Sequence, residues 1–267
     1  MSALIQPRRS ALPKYRLAVS GTYSTGKTTT TLALANLTGI PRTHAKTMRE
    51  ILPDALPGKA LEDCTAPELV QLGIRRYAER LVHETRLENG FISDGSSLHE
   101  WVYGMARMEA GINPNDSPLM LAIKGVMMLP LKPTYMQIFK NIGDIVKQHA
   151  KEGYDEFIHL PVEFPLVEDG HRPVSEHFRE LSDQLLTDTL KELGIKYHVV
   201  GGSIRERLEK IVDIYDFEPV MSFEKAIADA AEEVKQFHMD IEQDAKEAEE
   251  RRRNSSLMQR IAARLRN

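Results

Sequence analysis

The chain has 267 residues, 42% hydrophobic and 28% charged, with a formal net charge of −4. That size and composition suit one globular α/β domain plus an appendage, and the acidic balance argues against bulk electrostatic binding of nucleic acid. A single cysteine, Cys64, excludes an intrachain disulfide and fits a reducing cytoplasmic setting; the longest apolar run, Leu119 to Leu131, is broken by Lys124 and Pro130, which argues against a membrane span.

Residues 1–13 carry Arg8 and Arg9 with no apolar stretch behind them, so they are expected to be a tail and not a signal peptide. Arg16–Ser20 then reads as a short buried strand that runs into Gly21-Thr22-Tyr23-Ser24-Thr25-Gly26-Lys27-Thr28-Thr29. Gly21, Gly26, Lys27 and Thr28 stand at the G-x-x-x-x-G-K-[ST] spacing, with a helical pattern from Thr29 to Asn36 behind them. The glycines let the backbone wrap so that successive N–H groups point inward at phosphate oxygens. Lys27 can reach the β- and γ-phosphates, the Thr28 hydroxyl can ligate Mg²⁺, and the helix adds its positive end. The loop predicts a bound nucleoside triphosphate.

Ile40–Ala45 is a weak second strand. Thr65–Asn89 is the strongest helix, with Thr65 and Glu68 as a capping box, Pro67 in the first turn and Gly90 as the stop. Phe91–Asp94 is a third buried strand ending in a carboxylate, with Gly95-Ser96-Ser97 beyond. If this strand lies beside the first, Asp94 arrives next to Thr28 and the metal, where it can hold a metal-bound water or take a proton from an attacking hydroxyl. The competing expectation is that Asp94 only caps a helix from residue 96. Residues of roughly 100–151 form a methionine-rich insertion with helices over Pro118–Met128 and Thr134–Ala150, expected as a cap over the substrate.

Glu156–Leu160 and Lys196–Val200 complete five strands separated by helical segments, the pattern of a parallel sheet covered on both faces. Between them, Glu168 to Pro173 suits a lid in which Arg172 neutralises charge on a transferred phosphoryl group. Pro173–Leu193 is a helix with Phe178, Leu181, Leu185, Leu186 and Leu190 on one face and Gly194 at its end. Gly201-Gly202-Ser203 leaves the last strand, and Arg205 and Arg207 open the next helix, where they can flank a purine base or be surface charge. The guanine-recognition signature Asn-Lys-x-Asp is absent, which counts against a GTPase. After Glu218 a seam of Phe223, Ile227, Ala230, Val234, Phe237 and Ile241 marks a long helix expected to pack back on the domain ahead of pairing in a homodimer.

These segments together resemble the P-loop kinase-like family that includes the nicotinamide riboside kinase domain and, more distantly, thymidylate and deoxynucleoside kinases. The similarity runs over about the first 215 residues, and Gly21–Thr28 is its most specific part. Lys46–Ile51, Asp94, Asp169-Gly170-x-Arg172 and Gly201–Arg207 look like the family's further stretches. The resemblance implies a P-loop NTPase fold with ATP and Mg²⁺, and transfer of the γ-phosphoryl to a hydroxyl of a small molecule. It puts Arg49, Asp94, Ser97, Trp101 and Asp169 on the acceptor side, and Lys27, Asp94 and Arg172 in catalysis. Two departures, Lys46-Thr47-Met48 ahead of Arg49-Glu50 and Gly95 in place of an arginine after Asp94, argue against an ordinary nucleoside as acceptor. The organisation expected is a tail over 1–13, a P-loop domain over 14–218 and a helical extension over 219–267. A nucleotide-dependent switch working through that extension is the alternative to a kinase.

Overall fold

A computed structural model of the chain describes residues 15–43, 46–57, 59, 61, 64–110, 129–165 and 175–254. Five strands form one all-parallel sheet in the order β2-β3-β1-β4-β5: β1 is Arg16–Ser20, β2 Arg42–Thr43, β3 Phe91–Asp94, β4 Glu156–His159 and β5 Tyr197–Val199. The helices are α1 (Lys27–Thr38), α2 (Met48–Ala55), α3 (Ala66–Thr85), α4 (Leu98–Ala110), α5 (Lys132–Gly153), α6 (Glu176–Glu192), α7 (Ile204–Tyr215) and α8 (Phe223–Asn254). The α/β architecture read from the sequence, a five-stranded parallel sheet flanked by helices, is the one observed.

Successive residues of a strand face opposite sides of a sheet, and here both sides are covered. Leu17 and Val19 of β1 join Ile92, Ile158, Leu34 and Ile211 in one core cluster; Ala18 joins Phe91, Phe157, Leu98, Trp101 and Leu186 in the other. That two-sided burial is why β1, β3 and β4 read as short apolar runs. Helix α1 is buried almost all round, because α8 covers the side that the sheet does not. Ala226 and Ala230 of α8 are fully buried, with Phe223, Ile227 and Val234 packed beside them. The seam of α8 thus faces the domain core at least as far as Val234. Gly39, at φ +70°, closes α1 by donating its N–H to Ala35 O at 2.9 Å.

Helix α2 is additional to those expected, and α4 is the helix that the competing expectation for Asp94 placed from residue 96. Helix α2 starts from a capping box in which Thr47 accepts from Glu50 N–H while the Glu50 carboxylate accepts from Thr47 N–H at 2.6 Å. Helix α4 begins four residues beyond β3, and α5 packs Val146 and Ala150 into the same core face as Trp101 and Val102. The expected helix over Pro118–Met128 lies outside the described residues. Among the described residues no helix is long and apolar enough to cross a membrane.

Candidate functional site

The chain leaves β1 toward β2 at one edge and later returns to β4 on the other side, so the carboxyl end of β1 lies at the point where strand order reverses. In open parallel sheets the ligand crevice forms there. Gly21 stands at φ +139°, where an added Cβ would come within 2.7 Å of Leu160 O and 2.9 Å of Thr25 Oγ1, so only glycine fits. Ser24 at φ +58° and Gly26 at φ +81° turn the backbone again, and Gly26 caps α1. The Thr22 carbonyl accepts from Thr25 Oγ1 at 3.0 Å and from Lys27 Nζ at 2.6 Å, which draws the lysine ammonium across the loop. Two side chains hold the loop from outside. The Arg207 guanidinium donates to Thr25 O at 2.6 Å, and the His99 ring meets Gly21 O at 3.2 Å. Because His99 Nδ1 accepts from Ser96 N–H, its proton sits on Nε2 and is donated to the loop carbonyl. Burial, with the nearby Lys27, Arg80 and Arg76 cations, pushes the His99 pKa well below the usual range and keeps the ring neutral.

Register brings the second half of the site to the loop. Val19 pairs with Asp94, and Thr28 Oγ1 donates to Asp94 Oδ2 at 2.7 Å. The end of β3 is clamped from α3: Arg80 donates to Asp94 O at 3.0 Å and to Ser93 Oγ at 2.7 Å. Ser93 also accepts from Thr43 Oγ1 and donates to Glu84 Oε1, which takes a further bond from the Tyr154 hydroxyl at 2.8 Å. The serine oxygen therefore uses both lone pairs and its proton, a fully satisfied buried junction. Beyond Asp94, Arg76 pairs with Glu100 at 2.5 Å, and Tyr23 of the loop stacks on Tyr103 with centroids 4.6 Å apart. Burial opposes the Arg76 cation, but Glu100 and then Tyr103, Tyr23 and Asp94 outweigh it and hold its pKa above the ordinary value. Arg107 lies over the Phe178 ring at 5.5 Å, closing this wall.

A triphosphate with Mg²⁺ fits these residues. The glycine cradle has room for backbone and none for a side chain, and the Thr28 hydroxyl and the Asp94 carboxylate already converge. Among the described residues no three His, Cys, Asp or Glu side chains gather as a metal cage. A hydroxyl and one carboxylate, completed by phosphate and water oxygens, is the donor set that suits Mg²⁺.

The family model described as an AAA domain matches residues 16–207. The chain belongs to the AAA-domain family. Its matched stretch covers the segments on which the resemblance to P-loop kinases was read. Two solved structures of deoxyadenosine kinase from M. mycoides, one with products dCMP and a flexible dCDP and one with dCTP, are similar at 13% and 15% identity. Each has a TM-score of 0.46 and covers 75% of this chain and 98% of its own. No curated protein matches the chain.

Within this AAA-domain chain, Gly21 to Thr29 and Asp94 come together as expected. Other expected residues are placed differently. Ser97 donates to Val146 O and Trp101 to Phe139 O, so both face α5 and the core, not the crevice. The crevice face of α4 is instead His99, Glu100, Tyr103 and Arg107, which share one side of a helix at three- and four-residue spacing. Arg205 is engaged by Glu209 and Glu224 and lies over the Phe223 ring, on the side of α8. Arg207 is fully buried against the phosphate loop, so it is not surface charge. Asp169, Arg172 and the Arg49 side chain lie outside the described residues. The sequence reading passed over Arg76, Arg80 and Glu84; their four-residue spacing on the strongest helix, a charged stripe turned inward, was the signal available.

Proposed function

We propose that this chain is an ATP-dependent phosphotransferase that moves the γ-phosphoryl group of ATP to a hydroxyl of a small molecule. The observation that carries the reading is the Thr28–Asp94 contact of 2.7 Å, which joins the phosphate loop to a carboxylate on the neighbouring strand. Loop N–H groups and Lys27 bind the β- and γ-phosphates and neutralise charge as it moves toward the leaving oxygen. Thr28, with Asp94 directly or through water, would hold Mg²⁺, which when bound screens the phosphate charge. Asp94 orients the acceptor hydroxyl and takes up its proton. Arg80 keeps that carboxylate at its station by fixing its own backbone carbonyl. Arg172, on the segment before α6, is assigned to closing over the transferred group. The wall of Tyr23, Tyr103, Arg76 and Glu100 stands on the acceptor side of Asp94, so it favours an acceptor with a flat face and polar edges.

The test is incubation with labelled ATP, Mg²⁺ and a metabolite extract, followed by mass spectrometry. A metabolite gaining one phosphate is expected; release of inorganic phosphate alone would sink the transfer reading. One observation favours the alternative, a regulatory ATPase: α8 lies directly on α1, the helix that opens from the phosphate loop. That alternative predicts acceptor-independent hydrolysis that changes when residues 220–267 are removed.

A further inference from the structure

Arg207 is fully withdrawn from solvent against the phosphate loop, and its contacts are directional. One arm donates to Thr25 O at 2.6 Å. The other reaches Glu163 Oε2 at 3.2 Å, and the plane lies over the Phe164 ring at 5.3 Å. Glu163 is itself anchored by Gly202 N–H at 2.8 Å, a bond that, with Arg207, holds its carboxyl below the usual carboxylate range. The guanidinium is therefore fixed at both ends, between the phosphate loop and the segment after β4, which the turn after β5 holds in turn through Gly202.

A trans peptide unit points its C=O and the following N–H to opposite sides. Drawing the Thr25 carbonyl toward α7 turns the Gly26 N–H away from α7. Gly26 sits at φ +81°, in the left-handed region where a peptide nest reverses, and a Cβ built on it would meet Arg207 Nη1 at 3.2 Å. We propose that Arg207 is a positioning residue: by gripping the Thr25 carbonyl it aims the Gly26 amide at the phosphate, without touching the nucleotide. The inference rests on the nucleotide reading given above and adds to it the residue that preorganises the loop. An N–H already aimed at developing charge needs no reorganisation when the phosphate binds. A loop free to rotate its Thr25–Gly26 peptide would present a carbonyl there for part of the time, and would repel the anion it should hold.

The experiment uses the full chain as wild type, Arg207→Ala and Arg207→Lys, with MgATP titrated by calorimetry and unliganded folding followed by circular dichroism. Arg207→Ala is expected to weaken MgATP binding by about tenfold, the scale of one charge-assisted hydrogen bond. Guanidinium chloride at low millimolar concentration should restore part of that affinity, whereas potassium chloride at equal ionic strength should not. Arg207→Lys keeps the charge and one donor, and should fall between the two. Wild-type affinity in folded Arg207→Ala, or a loss that guanidinium does not repair, overturns the inference while leaving nucleotide binding intact. If Arg207→Ala does not fold, the wild-type protein decides by nuclear magnetic resonance. The Gly26 amide proton must shift on adding MgATP, and a resonance that stays put overturns the inference. Wild type that binds no MgATP overturns the nucleotide reading and this inference with it.

Discussion

The crossover after β1 and the crossover after β3 meet at the same crevice but are built on opposite principles. After β1 the working groups are mainly backbone: amides and carbonyls of Gly21 to Thr28, shaped by two glycines that admit no Cβ or a strained φ. At the end of β3 and beyond they are side chains: Asp94, placed by the strand register, and His99, Glu100 and Tyr103, whose direction depends on the phase of α4. A helix turns about 100° per residue, so a one-position error sends a side chain to the other face. Backbone chemistry is consequently local and tolerant of its neighbours' identity, whereas side-chain chemistry is settled by packing at a distance.

That contrast can be broken or sharpened by substitution. The largest effect is expected on the loop side: Lys27→Ala should lower turnover about 10³-fold, measured with radiolabelled ATP, since positioning and charge neutralisation carry phosphoryl transfer. Retained turnover would remove the loop from the chemistry. Next comes the buried clamp on the β3 side. Arg80→Met should cost about 3 kcal/mol in urea denaturation, because Glu84 loses the cation beside it at 3.6 Å. Asp94→Asn should reduce kcat about a hundredfold with ATP affinity nearly unchanged, and full activity in that variant would refute its role as proton acceptor.

A smaller effect is expected from pH. His99 is held neutral in the fold, with its pKa depressed, and the unfolded chain takes up a proton as pH falls below about 6.5. The unfolded state then binds more protons, so stability falls with falling pH at up to about 1.4 kcal/mol per pH unit from this group. His99→Gln should flatten that slope in denaturation curves between pH 6.5 and 5. A residual slope from His149, which burial also shifts downward, should persist. Smallest of all, Trp101→Phe should cost about 1 kcal/mol for the lost bond to Phe139 O and leave the acceptor KM within about twofold. A large rise in KM would return Trp101 to the acceptor side.

The parts of the fold legible in the sequence were those coded by local periodicity or local backbone need. Strands β1, β3 and β4 could be read because parallel strands covered on both faces are apolar runs; β2 and β5, short edge strands that are polar or half-exposed, were legible only by their place between helical segments. Helix α3 was legible from its capping box and stop, and the loop from its glycine spacing. Helix α2 has an equally good cap in Thr47 and Glu50, but Pro53 inside a short segment masked it. Helix α4 follows β3 too closely for its start to stand out from the Gly-Ser-Ser turn.

By itself, then, the sequence determined where the chain turns around phosphate and that a carboxylate ends the strand expected beside it, since both depend on a few consecutive residues and on steric limits of the backbone. Only the tertiary structure decided which face of α4 looks into the crevice, and that Arg205 and Arg207, two residues apart on α7, have unrelated partners. One meets Glu209 and Glu224 near solvent; the other is sealed against Thr25. The reason is geometric: two positions on a helix diverge by about 200°, and what each one meets is set by elements far away in the chain.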